Sequence, residues 1–123
     1  VLHDRGVHTL LISGAIDRYT ERVADRLGVG GHIPTVSMTF GTDDAFDELS
    51  FTRYMEKVNL AHDLADAGQT VWAFGNGYND VEMVAAADRA FMVPNREGID
   101  YERIGARPVE RAGLPDAVRR GGY

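Results

Sequence analysis

The spacing of apolar residues along the chain changes repeatedly between that of a strand and that of a helix. Residues 7–12 form a short apolar run rich in β-branched side chains, which predicts a buried strand ending at a Ser-Gly pair at 13–14. Over residues 16–27 the apolar positions recur at helical spacing, and Gly28 then supplies a stop. The beginning of the chain is therefore predicted to hold a strand, a loop and a helix.

The rest of the chain continues this alternation. Residues 29–50 combine glycines, a proline and an acidic patch with an extended stretch at 36–40, and we expect an excursion at the sheet edge. An apolar stripe predicts a helix over 52–67, and strands are predicted at 70–74 and 90–93 with a short helix between them. Strands that alternate with helices at this spacing predict an α/β domain with a mainly parallel sheet.

Composition is that of a soluble globular domain. The 123 residues are 44% hydrophobic and 26% charged, and we expect one domain over 1–123 whose tail, 95–123, is poorly defined by the pattern. Apolar runs fall far short of the roughly 20 residues of a membrane-spanning helix, so we expect a cytoplasmic protein without a membrane partner. The net charge of -6 disfavours nucleic acid as a partner.

The absence of cysteine excludes disulfides, thiolate metal sites and a cysteine nucleophile. The chain begins with Val1 rather than Met, and we therefore expect a further segment upstream of it.

Candidate chemistry is expected beyond the carboxyl ends of the predicted parallel strands, where ligand sites of such sheets form. Ser13 and Gly14 follow the first predicted strand, and a hydroxyl with backbone amides at a helix N-terminus suits an anionic oxygen. An ordinary turn with a helix cap explains the same pair, and that alternative stays open.

The loop after the strand at 70–74 is more specific. Gly75 and Gly77 permit a tight path, while the loop also holds two amides and a carboxylate, on Asn76, Asn79 and Asp80. Asn-Gly also favours a hairpin turn, but a helical segment follows here rather than a pairing strand. Asp80 is also explained as a simple helix N-cap.

Lys57 is predicted to lie in the middle of a helix, next to Glu56. It is either an exposed surface lysine or a lysine whose ammonium reaches a strand tip and neutralises phosphate charge. Its position relative to the Ser-Gly pair and the glycine loop decides between these.

Three segments together resemble a known family. Residues 10–14 read Leu-Leu-Ile-Ser-Gly, Lys57 follows, and residues 74–83 read Phe-Gly-Asn-Gly-Tyr-Asn-Asp-Val-Glu-Met. In order and spacing, across about residues 5–95, they resemble the second, third and fourth motifs of the haloacid dehalogenase superfamily, closest to its phosphoserine-phosphatase-like branch. Residues 17–20 add to the likeness. The resemblance implies a Rossmann-like α/β core with flanking helices.

The resemblance also implies an activity, the hydrolysis of a small phosphorylated molecule through an aspartyl-phosphate with magnesium. Ser13 and Gly14 would contact the phosphoryl group, and Lys57 would balance charge on the nucleophile and the phosphoryl group. Asp80 would steady the metal shell, with Asn76 as a weak ligand. Gly75, Gly77 and Asn79 would support the loop. These roles suit phosphoryl transfer, which is catalysed mainly by positioning and charge neutralisation.

Two departures from the family pattern bear on activity. The family's first motif, an Asp-x-Asp pair after the first strand, has no counterpart here; the nearby acid, Asp4, precedes the strand of the second motif. Asn76 stands where the family usually has a magnesium-binding Asp, and an amide is a poorer ligand for a hard cation. We therefore expect a core that lacks the usual first strand and cap, binds magnesium weakly or not at all, and is inactive alone.

Three readings stay open. The chain is an enzyme core completed by a missing amino-terminal segment, a non-catalytic binding module, or an enzyme with different acid/base chemistry on Asp80 and Lys57. In the family the missing strand is central, so the resemblance also implies an unpaired sheet edge. We therefore expect a homo-oligomer or a complex with a segment that supplies a strand.

Overall fold

The computed structural model describes residues 7–40 and 46–120. Asp4 and the acidic residues Asp43 and Asp44 of the predicted excursion lie outside the described residues. The chain divides into two compact units, one within Leu2–Glu56 and one within Lys57–Tyr123, and each is described by itself. The single domain expected from the sequence stays a prediction.

The amino-terminal unit contains a mixed three-stranded sheet. Strand β1 (Leu10–Ile16) leads directly into helix α1 (Asp17–Leu27), and two further strands follow, β2 (Gly31–Phe40) and β3 (Phe46–Phe51). β1 pairs with β2 in parallel, and β2 pairs with β3 antiparallel. Helix α1 ends as predicted, because Gly28 adopts a left-handed conformation with φ of 65°.

The predicted end of the first strand was wrong. The strand continues through Ser13 and Gly14, which the sequence placed in a loop, and reaches Ile16. Ser13 is paired with Pro34 of β2, and the Ser13 carbonyl accepts a hydrogen bond from Thr35 Oγ1. A shift of register between Ser13 and Ile16 marks the irregularity that the Ser-Gly pair does introduce.

The carboxyl-terminal unit contains a parallel three-stranded sheet with helices. Its elements are helix α2 (Val58–Asp66), strand β4 (Trp72–Gly75), a 3₁₀ turn (Tyr78–Asp80) that leads into helix α3 (Val81–Ala86), strand β5 (Arg89–Met92), strand β6 (Arg107–Pro108) and helix α4 (Leu114–Arg119). The central strand is β5, which pairs in parallel with both β4 and β6.

The core of this unit is built on β5. Phe91 and Met92 are fully buried, as is Val84 of α3. The ring of Phe74 stacks on that of Phe91 with their centroids 4.8 Å apart, and Trp72 lies 6.0 Å from the same ring. The aromatic side chains of β4 therefore pack on β5.

The helix predicted over 52–67 is shorter than expected, so the position of Lys57 in the middle of a helix was wrong. Residues Arg53–Met55 form a separate 3₁₀ turn capped by Thr52, whose hydroxyl accepts from the amide of Tyr54. Glu56 is extended, and α2 begins only after Lys57, which occupies the N-cap position. The far end agrees with the sequence, since Gly68 has φ of 79°.

The α/β class is confirmed by the described residues: helices alternate with strands, and three of the four strand pairings are parallel. The strands form two small sheets. Strand β3 and the elements of the tail, β6 and α4, were not predicted. Within the described ranges, no helix combines the length and apolar character needed to span a bilayer.

Candidate active site

The candidate site lies at the carboxyl end of β4. The strand ends at Gly75, and the chain then turns through Asn76 and Gly77 into the 3₁₀ turn that ends at Asp80. A strand followed by a tight loop and a helix is the arrangement that the sequence predicted for this segment. It brings the Asp80 carboxylate back over the strand tip.

Asp80 and Lys57 form a buried ion pair. Lys57 Nζ donates to Asp80 Oδ1 at 2.6 Å, and the two side chains are only 9% and 8% exposed. Lys57 is also the only lysine among the 13 Lys and Arg residues of the chain. The structure therefore excludes the alternative of an exposed surface lysine and joins two of the three predicted catalytic residues.

The second oxygen of Asp80 closes the loop. Oδ2 accepts hydrogen bonds from the backbone amides of Asn76 at 2.9 Å and Gly77 at 3.2 Å. Burial by itself raises the pKa of Asp80, but the hydrogen bond and the charge of Lys57, together with the two amides, outweigh it and hold the pKa below its ordinary value. Asp80 is therefore a carboxylate at neutral pH, with both oxygens occupied.

Gly75 is required by the packing of Asp80. A Cβ placed on Gly75 would overlap the Cβ of Asp80 and lie 2.9 Å from its Cγ and 3.0 Å from its Oδ2. Gly77 is less crowded, since its nearest neighbour would be Asn79 Oδ1 at 3.1 Å. The supporting role that the sequence assigned to Gly75 thus has a physical basis, because no side chain fits between β4 and Asp80.

Two residues that the sequence did not single out hold the loop from outside. Asn95 Nδ2 donates to the carbonyl of Asn76, and the Glu97 carboxylate accepts from the amide of Tyr78 at 2.6 Å. They lie in the tail that shows no clear periodicity, among alternating acidic and basic residues. Sequence offered no signal for them, because their partners are backbone groups.

Ser13 and Gly14 belong to the other unit, where Ser13 is half-buried and Gly14 exposed. Their grouping with Lys57 and Asp80, and their contact with a phosphoryl group, stay predictions. Asn79 is exposed on the 3₁₀ turn.

The described residues do not by themselves fit a magnesium ion. Among them, no group of three or more His, Asp or Glu side chains is placed to hold a metal. Both oxygens of Asp80 are engaged by an ammonium and two amides, and Asn76 offers only a neutral amide. A metal at this loop would need further carboxylates.

Comparison with known proteins gives one match. The family model of the haloacid dehalogenase-like hydrolases matches residues 1–85, which is more than half of the chain. No curated protein and no solved structure matched it.

Proposed function

Since this chain belongs to the haloacid dehalogenase-like hydrolase family, we propose that it forms the charge-balancing half of a phosphate monoester hydrolase. The buried pair of Lys57 and Asp80 carries the proposal. The aspartate nucleophile would come from a segment outside these 123 residues, because the sequence contains no Asp-x-Asp pair.

Lys57 has the properties that such a role needs. Its ammonium has three donor positions, and the described residues occupy one of them, through Asp80 Oδ1. The side chain is nearly buried, so its charge is poorly screened by water and acts strongly on a neighbouring anion. The ammonium would hold a phosphoryl oxygen and the nucleophile carboxylate at once, while Asp80 fixes its position.

The division of roles follows from which groups are already satisfied. The amides of Asn76, Gly77 and Tyr78 all donate to carboxylates of the chain itself. The loop therefore supports the site rather than cradling the phosphate. Contact with the phosphoryl oxygens falls to Lys57 and, as the sequence predicts, to Ser13 and Gly14. Magnesium, which the family generally uses, would neutralise phosphoryl charge when bound.

A non-catalytic binding module is the second candidate. The neutral Asn76, at the position where a carboxylate is usual in the family, favours it, because the site then lacks charge that a hydrolase of this type uses.

Turnover of an aryl phosphate in the presence of magnesium separates the candidates. Two polypeptides are compared, the 123-residue chain and the product of the complete reading frame that contains it. We expect no hydrolysis above background from the first, and hydrolysis from the second that is lost in Lys57→Met and kept in the surface control Arg119→Ala. An inactive complete product that does contain an Asp-x-Asp pair would favour the binding module.

Robust turnover by the 123-residue chain that Asp80→Ala abolishes would contradict the proposal. It would show that Lys57 and Asp80 perform acid/base chemistry of their own.

A further inference from the structure

The segment that follows β5 runs beside the loop of the candidate site and is bonded to it at three successive points. The amide of Val93 donates to the Gly75 carbonyl at 2.9 Å, which extends the pairing of β5 with β4 by one step. Asn95 then donates to the Asn76 carbonyl, and the Tyr78 amide donates to Glu97 Oε2 at 2.6 Å. Beyond Val93, side chains of this segment rather than its backbone therefore make the hydrogen bonds to the loop.

The two side chains also hold each other. Asn95 Oδ1 accepts from the backbone amide of Glu97 at 2.8 Å, so one amide group of Asn95 bonds to the site loop with its nitrogen and to its own segment with its oxygen. This is a local Asx turn, which fixes the direction in which the Glu97 side chain leaves the backbone. The two contacts to the loop are therefore coupled.

The contacts of Glu97 and Asp80 divide the loop between two carboxylates. Asp80 takes the amides of Asn76 and Gly77, and Glu97 takes the amide of Tyr78, the first residue of the 3₁₀ turn that ends in Asp80. Glu97 also lies close to Gly77, since each of its oxygens is 3.4 Å from where a Cβ on that glycine would be. Movement of the turn would move Asp80, which is the ion-pair partner of Lys57.

We propose that Asn95 and Glu97 are positioning residues that hold the 3₁₀ turn in place, so that Asp80 stays directed at Lys57. The inference rests on the proposed function only for its effect on turnover. The hydrogen bond from a backbone amide to a carboxylate is charge-assisted, which distinguishes Glu97 from an ordinary exposed glutamate.

Amide exchange and the signal of the single lysine test this directly. Because Lys57 is the only lysine, lysine labelled with ¹³C at the ε carbon gives one signal that reports on its contact with Asp80. In Glu97→Ala we expect the Tyr78 amide to exchange roughly tenfold faster, the effect of losing one hydrogen bond, and the Lys57 signal to move toward its position in Asp80→Asn. Glu97→Gln keeps an acceptor oxygen. It should therefore leave the exchange rate of the Tyr78 amide and the position of the Lys57 signal close to those of the wild type.

The matched control is Glu102→Ala, which removes an exposed glutamate of the same segment whose side chain has no hydrogen bond to the loop among the described contacts. It should leave both signals unchanged. Should Glu97→Ala fail to fold, Asn95→Ala, which removes the donor to the Asn76 carbonyl without adding charge, is measured in the same way.

Exchange of Tyr78 within twofold of the wild type in Glu97→Ala, or an equal effect of Glu102→Ala, would overturn the proposal. In the complete reading-frame product we expect Glu97→Ala to lower kcat with little change in KM, and Glu97→Gln to recover most of the loss. Absence of turnover in every variant would count against the proposed function alone, since exchange decides the positioning role separately.

Discussion

Lys57 differs from the other cationic residues of the chain in chemical type and, compared with Arg119, in burial. The other basic residues are arginines, among them Arg119, whose pair with Asp116 is 57% and 71% exposed. A guanidinium is larger and planar, whereas an ammonium is a compact charge that fits between a carboxylate and a second anion. The chain places its one lysine in the buried pair with Asp80.

Removing the charge of Lys57 should destabilise the carboxyl-terminal unit, because Asp80 would remain as an unpaired buried carboxylate. For Lys57→Met, which keeps the length of the side chain, we expect a loss of about 3–5 kcal/mol in the free energy of unfolding at neutral pH. The exposed pair gives the matched control, since Arg119→Ala should cost less than about 1 kcal/mol. Urea denaturation measures the free energy of unfolding of both variants. Equal losses would show that the Lys57–Asp80 pair stabilises the protein no more than an exposed pair does.

The same pair predicts a pH dependence of stability. Burial raises the pKa of Asp80, but Lys57 and the two amides together lower it by a larger amount. The folded pKa therefore lies below the ordinary value of 3.8. The stabilising contribution is therefore complete above about pH 4 and is lost as the pH falls through the folded pKa. In Lys57→Met the folded pKa of Asp80 moves upward, because burial is then opposed by the amides alone, so the acid-dependent loss of stability should become smaller. Unfolding measured from neutral pH to about pH 2, with Asp80→Asn as the titration-free reference, tests this.

A methyl group on Gly75 should disturb the site more than its size suggests. The added Cβ would overlap the Cβ of Asp80, so either β4 or the 3₁₀ turn must move. We expect Gly75→Ala to cost about 1–3 kcal/mol and to shift the Lys57 signal. Gly113→Ala is the control, because its Cβ would meet only Val109 Cγ1 at 3.4 Å. A Gly75→Ala protein as stable as this control would refute the close packing of β4 against Asp80.

At the scale of elements, the sequence predicted best where a local signal and the packing agree. The strands β4 and β5 and the loop that ends in Asp80 were predicted within about two residues, because an apolar run, two glycines and a helical segment follow each other there. The ends of helices α1 and α2 at Gly28 and Gly68 were also predicted. Both glycines adopt a left-handed backbone, for which glycine is the local sequence signal.

The sequence failed where a contact distant along the chain overrides the local pattern. Ser13 and Gly14 have the composition of a turn, yet pairing with β2 and the hydrogen bond from Thr35 keep the backbone extended. Thr52 caps a short turn of its own and Glu56 is extended, so the apolar stripe of the expected helix is broken before Lys57. Asn95 and Glu97 contact backbone groups, which carry no sequence signal.

The loop also determines how the chain should respond to magnesium. With Asn76 neutral and both oxygens of Asp80 engaged, we expect no submillimolar affinity in calorimetry of the 123-residue chain. Asn76→Asp adds a carboxylate at the position where the resemblance to the family predicts one, and should strengthen binding. Asn79→Asp adds the same charge at the residue directly before Asp80 and serves as the control. Submillimolar affinity of the unmodified chain would contradict this expectation.

At the scale of the whole molecule, the edge strands of the sheets bear on whether the chain associates. Within the described residues, β4 pairs only with β5, so the second sheet ends on an apolar strand. The other end of the second sheet is protected differently, because β6 has only two residues. The four-residue apolar edge of β4 recruits a further strand more readily than the two-residue edge of β6.

We therefore expect the chain to associate, either with itself or with a segment that supplies a strand. A strand added along β4 would pair the outward-facing backbone groups of that strand. Light scattering at low micromolar concentration should show a dimer or larger species for the 123-residue chain. A proline in place of Phe74 removes an edge amide of β4, while Val93 still bonds to Gly75 on the paired side. Phe74→Pro should weaken association if β4 is the edge used, and Phe74→Ala controls for the lost ring. A monomer that unfolds cooperatively would show that the chain needs no added strand.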